Sequence, residues 1–171
     1  IEELSATYTK TKEQNKVERT FEPEDITEFT TRKRYIDIDL KDLGWTIEGA
    51  ETDVWQEYPV EDMAGVVGQK GYADYVLFGK DGLPLALIEA KRSSKDPNVG
   101  RKQAVLYADC LEKKFGRRPI MFTSNGFETY FWDDKTGPQR RVSGFFSKED
   151  LQKLINRREE RKKLDKIVIN D

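Results

Sequence analysis

The sequence of 171 residues contains no histidine and one cysteine, Cys110. The lack of histidine excludes serine or cysteine nucleophiles that need a histidine base. Zinc sites are excluded as well, because they need several cysteine or histidine ligands. One cysteine cannot form an internal disulfide and fits a reducing, cytoplasmic setting. Any bound metal must therefore lie among oxygen ligands, which Mg²⁺, Mn²⁺ and Ca²⁺ prefer.

Long apolar runs and an excess of positive charge are also missing. No run approaches the roughly 20 apolar residues that span a bilayer, and the sequence does not open with a signal peptide, so no membrane partner is expected. The formal net charge is −2, so binding to nucleic acid would depend on local basic patches. Such patches occur at residues 32–34, 91–95, 101–102 and 113–118. Charged runs usually form solvated surface, and these patches do not identify a partner alone.

The composition is typical of one soluble globular domain, with 36% hydrophobic and 36% charged residues. Periodicity and capping signals predict helices over residues 24–43, 96–115 and 147–158. Alternating or continuous apolar runs predict strands over residues 54–60, 72–79, 83–91, 119–123 and 127–132. This order predicts the α/β fold class, a mixed β-sheet flanked by helices.

Two of these strands form a predicted hairpin around Asp81-Gly82, a dipeptide typical of a two-residue turn. In that register Lys80 faces Leu83, and counting back along both strands places Asp74 opposite Glu89. Pro84 then falls at a pair without ladder hydrogen bonds, where its missing N–H costs nothing.

The hairpin carries the residues with the clearest chemistry. Glu89 and Lys91 end a strongly apolar strand and share one face, because side chains alternate along a strand. Directly opposed carboxylates at Asp74 and Glu89 lie about 5 Å apart at Cβ. Their mutual repulsion is relieved by a divalent cation, and a neighbouring ammonium can stabilise charge on a phosphate. This combination suits metal-assisted phosphodiester hydrolysis. The alternative is an exposed ion pair between Glu89 and Lys91 at a strand end.

Asp74 followed by Glu89-Ala90-Lys91 resembles the PD-(D/E)XK nuclease motif. Most of the chain is similar to the N-terminal nuclease domain of the restriction (R) subunit of type I restriction enzymes. Residues 71–77 and 87–91 resemble the two metal-ligand strands of that family. The pair Gln103 and Tyr107 fits its Gln-x-x-x-Tyr helix motif, with both side chains on one helix face. Residues 122–126, 28–32 and 36–45 resemble further segments of it.

The resemblance implies a nuclease core that binds Mg²⁺, for which Mn²⁺ can substitute. Its implied metal ligands are Asp74, Glu89, the main-chain carbonyl of Ala90 and, as a further candidate, Glu28. Lys91 would orient the attacking water. The residues implied to contact DNA or support the site are Gln103, Tyr107, Arg92, Lys95, Arg101 and Lys102. The implied partners are double-stranded DNA and the methyltransferase and specificity subunits of the complex.

Two departures from the family pattern stand out. Ala73 replaces the proline that often precedes the first aspartate, and the sequence has no Walker-type phosphate loop. The ATP-driven motor of the full-length subunit is therefore not in this sequence, and ATP is needed only there. Because the sequence starts at Ile1 rather than methionine, we expect it to be a fragment. We expect an N-terminal arm over residues 1–20, an endonuclease domain over 21–156, and a charged linker toward the motor over 157–171.

Several alternatives remain open at this point. The domain could keep the nuclease fold but act only as an inactive module that docks DNA or the motor. Gln103 and Tyr107 could form an ordinary exposed helix face, and Glu28 could be a first-turn residue favoured by the helix dipole. The three tryptophans, Trp45, Trp55 and Trp132, are expected in the core or an interface rather than as base-stacking platforms.

Overall fold

The computed structural model describes residues 27–63 and 68–160, so the predicted arm over residues 1–20 and most of the predicted linker lie outside the described residues. A six-stranded sheet occupies the centre, with its strands in chain order from edge to edge. The strands are β1 (Val54–Val60), β2 (Gly71–Phe78), β3 (Pro84–Ala90), β4 (Ile120–Ser124), β5 (Thr129–Trp132) and β6 (Arg140–Val142). Only β3 and β4 pair in parallel; the other neighbours are antiparallel. The predicted mixed sheet is confirmed.

Helices cover both faces of the sheet. Helix α1 has three parts, α-helical Glu28–Thr31, π-helical Arg32–Ile36 and α-helical Asp37–Asp42. After a short 3-10 turn come α2 (Arg101–Phe115) and, at the end of the described chain, α3 (Lys148–Glu160). Apolar residues of α1 and α3 pack in one core cluster, and those of α2 pack in a second. No helix among the described residues is long and apolar enough to cross a membrane.

The first helix differs from its predicted face because of its π-helical segment. Ile36 and Leu40 are buried as expected, but Phe29, predicted on the same face, is 63% exposed. A π turn takes more residues than an α turn, so the apolar residues on its two sides no longer align. The helix ends as predicted before Gly44, which adopts a left-handed φ of 82°.

The hairpin turn is longer than predicted, yet the register near Asp74 is correct. The Gly79 N–H donates to the Leu83 carbonyl, so three residues rather than two form the loop. A β-bulge shifts the pairing again between Leu77 and Phe78, beyond which Tyr75 pairs with Ile88. The extra loop residue and the bulge offset each other. The predicted register, in which Lys80 faces Leu83, would also place Pro84 opposite Gly79; this is wrong, because Pro84 pairs with Phe78.

The other strand boundaries agree within one residue apart from the fifth and sixth strands, and the helix predicted from Asp96 begins as the 3-10 turn Pro97–Gly100. Strand β5 begins at Thr129 rather than at residue 127, because the Asn125 side chain accepts hydrogen bonds from the next turn residues and delays the strand. Strand β6 was not predicted, since its three residues, Arg-Arg-Val, show too little alternation. The predicted capping box is present, with the Asp150 N–H donating to the Ser147 hydroxyl at 3.2 Å.

An arginine between α2 and β4 ties the helices to the sheet. The Arg118 guanidinium is 8% exposed and contacts Asp109, Glu112 and Asp134 at 2.6–2.9 Å. Arg158 of α3 donates to the Arg118 carbonyl at 2.6 Å. Arg118 belongs to one of the candidate basic patches, but its charge is paired with these carboxylates.

Replacement of Arg118 by methionine is expected to destabilise the domain by about 1–3 kcal/mol, because it leaves clustered carboxylates without their shared cation. The matched control is Arg141→Met, which removes an exposed pair with Glu128 and should cost less than about 1 kcal/mol. Urea unfolding of both variants measures the difference. Equal losses for the two variants would contradict the structural role of Arg118.

Candidate active site

Strands β2 and β3 separate at Asp74 and Glu89. Their ladder ends at the pair Tyr75 and Ile88, while β2 continues to Gly71 beside β1 and β3 continues to Ala90 beside β4. One further step of the same register brings Asp74 opposite Glu89, as predicted. The two carboxylates therefore lie where the central sheet opens between its second and third strands.

The alternation of side chains reverses at this opening. Tyr75 and Leu77 pack in the first core cluster, and strict alternation would place Ala73 there too, yet Ala73 packs in the second. In the partner strand Glu57, opposite Asp74, has a left-handed φ of 50°. Strict alternation therefore fails along β2 at Asp74. The ladder ends one step before the predicted pair, and Asp74 contacts β3 through its side chain, which accepts from the Ala90 N–H.

Asp74 is held by two donors. The Ala90 N–H donates to Asp74 Oδ2 at 2.7 Å, and Arg32 Nη1 donates to Oδ1 at 3.2 Å. Burial raises the pKa of the Asp74 carboxyl, while the Ala90 amide and the Arg32 charge oppose that rise. The carboxylate thus replaces a main-chain acceptor where the ladder has ended.

Glu89 is the most buried acid of the site, with its side chain 1% exposed. Burial, followed by the nearby Asp74 charge, raises the pKa of its carboxyl to about 8. Its Oε1 atom is buried and has no hydrogen-bond partner in the structure. A buried acceptor without a partner is costly, and a bound cation would satisfy it.

Lys91 lies beside Glu89, with 3.7 Å between its Nζ and Glu89 Oε2. The Lys91 side chain is 15% exposed, so the alternative of an exposed ion pair at a strand end is wrong. Gly100, the residue before α2, packs against the side chains of Lys91 and Glu89. A Cβ at Gly100 would lie 2.9 Å from Lys91 Cε and 3.4 Å from Glu89 Cβ.

Sequence reasoning missed Gly100, Thr123 and Arg32 as parts of the site. Thr123 pairs with Glu89 across β3 and β4, and its buried hydroxyl also lacks a partner. A lone glycine or threonine carries no motif, and Arg32 was predicted only as part of a basic patch. Their positions follow from the parallel β3–β4 pairing and from the path of α1.

The donor set fits a hard divalent cation. Asp74, Glu89 and the Ala90 carbonyl offer only oxygen, which Mg²⁺ prefers, and no hydrogen bond to Glu89 Oε1 competes with a bound ion. Glu28 lies near enough to raise the pKa of both carboxyls. However, the described residues contain no group of three acidic or thiol side chains arranged to hold an ion. The ligand roles of Asp74, Glu89, the Ala90 carbonyl and Glu28 all remain predictions.

The helix motif pair is joined by a hydrogen bond. Gln103 Nε2 donates to Tyr107 Oη at 2.7 Å. Tyr107 is 5% exposed and packs so closely on the start of β2 that a Cβ at Gly71 would lie 2.9 Å from its ring. The alternative of an ordinary exposed helix face is therefore wrong for Tyr107, whereas Gln103 is exposed.

The predicted DNA-contacting cations lie at the surface around Gly100. Arg92, Lys95, Arg101 and Lys102 are all exposed. Arg101 stacks on Trp132, with 4.2 Å from its guanidinium carbon to the ring centroid. Of the tryptophans, Trp45 is buried in the core and Trp55 is 52% exposed on the edge strand. Arg101 and Lys102 are the first residues of α2, directly after Gly100, which packs against Lys91.

Known proteins similar to this chain are type I restriction enzyme subunits. Over 61 residues, or 36% of the chain, it is 39% identical to the EcoAI endonuclease subunit of Escherichia coli. Over 82 residues, or 43% of the chain, it is 33% identical to the EcoKI endonuclease subunit of Escherichia coli strain K12. These matches span 7% of the length of each relative.

A solved structure extends the similarity to the fold. A fragment described as an HsdR subunit of a type I restriction enzyme from Vibrio vulnificus YJ016 matches with a TM-score of 0.64 and 26% identity, covering 84% of this chain and 28% of that one. The family model described as "Type I restriction enzyme R protein N terminus" matches residues 51–140, which include β1 to β5 and the site residues Asp74, Glu89 and Lys91 but not Glu28 or Arg32. The chain belongs to the family of type I restriction enzyme R protein N-terminal domains.

Proposed function

We propose that this chain is a metal-dependent endonuclease domain with a PD-(D/E)XK core, which hydrolyses phosphodiester bonds of double-stranded DNA within a type I restriction enzyme. The observation that carries the proposal is the open end of the β2–β3 hairpin. Two carboxylates, Asp74 and Glu89, meet there, one oxygen of Glu89 is buried without a partner, and the Lys91 ammonium lies beside it.

Each residue has a chemical role in this proposal. Asp74, Glu89 and the Ala90 carbonyl would hold Mg²⁺ or Mn²⁺. A bound ion supplies a Lewis acid that polarises the phosphate and lowers the pKa of water. Lys91 orients the attacking water and offsets negative charge that develops on the phosphate. Because β3 is buried along its whole length, these groups act in an environment of low dielectric constant, where such charges interact strongly.

The exposed cations indicate how the domain would contact DNA, and the family indicates its protein partners. Arg92, Lys95, Arg101 and Lys102 would contact backbone phosphates, which gives binding that weakens with added salt. Gln103 and Tyr107 support α2 beside the site. The methyltransferase and specificity subunits would be the protein partners, and ATP would be used by a motor elsewhere in the full subunit.

A second function is an inactive docking module with the same fold. It is favoured by one observation: both Asp74 oxygens already accept hydrogen bonds, from Arg32 and from Ala90. The two functions differ in metal binding. A nuclease site binds Mg²⁺ through Asp74, so Asp74→Ala should remove that binding, whereas a docking module has no such requirement.

Metal-free stability should fall as pH rises, and Mg²⁺ should reverse the fall. The raised pKa of Glu89 means that the folded state keeps a proton that the unfolded state releases. Stability is therefore lost between the unfolded value of 4.5 and about 8. Thermal melting at pH 5.5 and 8.5, with and without Mg²⁺, measures both effects.

Glu89→Gln should flatten this pH dependence and abolish the response to Mg²⁺. Glu61→Gln is the matched control, since Glu61 is 66% exposed and should behave like the wild type. A metal-free melting temperature that does not fall over this pH range would contradict the assignment of the buried Glu89 carboxyl.

Lys91→Ala should lower cleavage by about 10²–10³-fold, the usual loss for one electrostatic donor in the transition state. Metal binding should be retained and the domain should stay folded, because an ammonium does not ligate a cation. Lys91→Arg should also lose most of the cleavage activity, since a planar guanidinium does not replace a compact ammonium. Cleavage by the complete restriction enzyme is the measurement.

The control for Lys91 is Lys153→Ala, which alters a lysine that is 66% exposed on α3 and should leave cleavage unchanged. ATP-driven translocation should survive in every variant. Normal cleavage by Lys91→Ala would refute the catalytic role, and loss of cleavage only together with folding would favour a structural ion pair.

Gly100→Ala should reduce cleavage by roughly 10–100-fold without unfolding the domain. The added methyl group would meet the flexible Lys91 side chain at 2.9 Å and push its ammonium away, while a φ of −75° suits alanine. Gly137→Ala, where nothing lies within 4 Å of the new Cβ, is the matched control. Equal cleavage by the two variants would show that Lys91 is not displaced.

A further inference from the structure

Two backbone irregularities from different parts of the chain meet at one arginine. Arg32 is the first residue of the π-helical segment of α1. Its guanidinium contacts Glu57, whose left-handed φ of 50° is rare outside glycine. Irregular turns and left-handed residues carry a conformational cost and cluster at functional sites. Both irregularities involve Arg32, which begins one and contacts the other.

Arg32 bridges two acids at the open end of the hairpin. Its Nη1 lies 3.2 Å from Asp74 Oδ1, and its Nη2 lies 3.2 Å from Glu57 Oε1. The Arg32 and Asp74 side chains are 16% and 13% exposed, whereas Glu57 is 67% exposed. The contact with Asp74 is thus the shielded one, in which charge interacts more strongly than at the surface.

The contact with Arg32 means that both oxygens of Asp74 accept a hydrogen bond. One donor is the main-chain amide of Ala90 in β3, and the other is the Arg32 side chain. A divalent ion ligated by Asp74 lies about 2.1 Å from one of its oxygens. The guanidinium and the ion would then be close enough to repel each other strongly.

We propose that Arg32 is the resident counter-cation of the site: it holds Asp74 in place while the divalent ion is absent and weakens the affinity of the site for that ion. This inference rests on the proposed metal-dependent function. Arg32 is thus a positioning residue, not a catalytic one. The metal has to bind against a charge that α1 carries into the site, so a movement of α1 would change the metal affinity.

The test is Mn²⁺ binding by the 171-residue chain, followed by electron paramagnetic resonance of the free ion at pH 8.5 and compared with thermal melting. Arg32→Gln should bind Mn²⁺ about tenfold more tightly or better, because the repulsion is gone. Its metal-free melting temperature should fall, and saturating Mn²⁺ should restore it. Arg32→Lys keeps the charge and should bind Mn²⁺ within about threefold of the wild type.

The matched control is Lys33→Gln. Lys33 is the next cation of α1, is 45% exposed and pairs with Asp37, so its loss should change Mn²⁺ affinity by less than about twofold. A structural role alone would lower the melting temperature of Arg32→Gln without tightening Mn²⁺ binding. Equal or weaker binding by Arg32→Gln, with normal binding by the wild type, would overturn this inference and leave the proposed function intact. No binding by either protein would overturn the proposed function itself.

Discussion

The hydrogen bond from the Ala90 N–H to Asp74 Oδ2, at 2.7 Å, is the contact around which the site is organised. A hairpin whose strands stayed paired would give this amide to a main-chain carbonyl and leave no space between β2 and β3. Here β3 is held straight by its parallel neighbour β4, while β2 follows β1. The carboxylate of Asp74 satisfies the amide that the separation exposes, so the same side chain allows the sheet to open and lines the opening.

The opening concentrates features that each destabilise the fold. Glu89 is an acid buried among apolar strands, its Oε1 and the Thr123 hydroxyl lack partners, and Glu57 has a strained backbone. Such features persist only where the surroundings enforce them. The surroundings here are a β3 strand buried at all seven positions and core clusters on both faces of the sheet. The complete burial of β3 is thus the condition for holding the two carboxylates at this opening.

Much of this arrangement could be predicted from local sequence, and the reasons for the failures are physical. Strand β1, the end of α2 at Gly116 and the opposition of Asp74 to Glu89 follow from periodicity and turn residues. The register was correct even though the loop has three residues, because a bulge at Leu77 and Phe78 restores it. Neither a bulge between apolar residues of a strand nor a π turn in a helix can be recognised from the pattern of apolar residues in the sequence. The exposed side chain of Phe29 shows the consequence.

Charged residues show most clearly where local sequence stops being informative. Arg32, Lys91 and Arg118 all occur in short basic runs of similar appearance. Yet each contacts acids that other elements bring to it: Arg32 meets Glu57 and Asp74, Lys91 meets Glu89, and Arg118 meets Asp134. A buried cation is tolerated only with such partners, so its role is decided by which carboxylates the sheet order places within reach. Arg118 meets acids of α2 and of the turn after β5, which makes it a structural link. Arg32 and Lys91 meet acids at the only place where the hairpin opens, and for that reason their charges bear on the chemistry of the site.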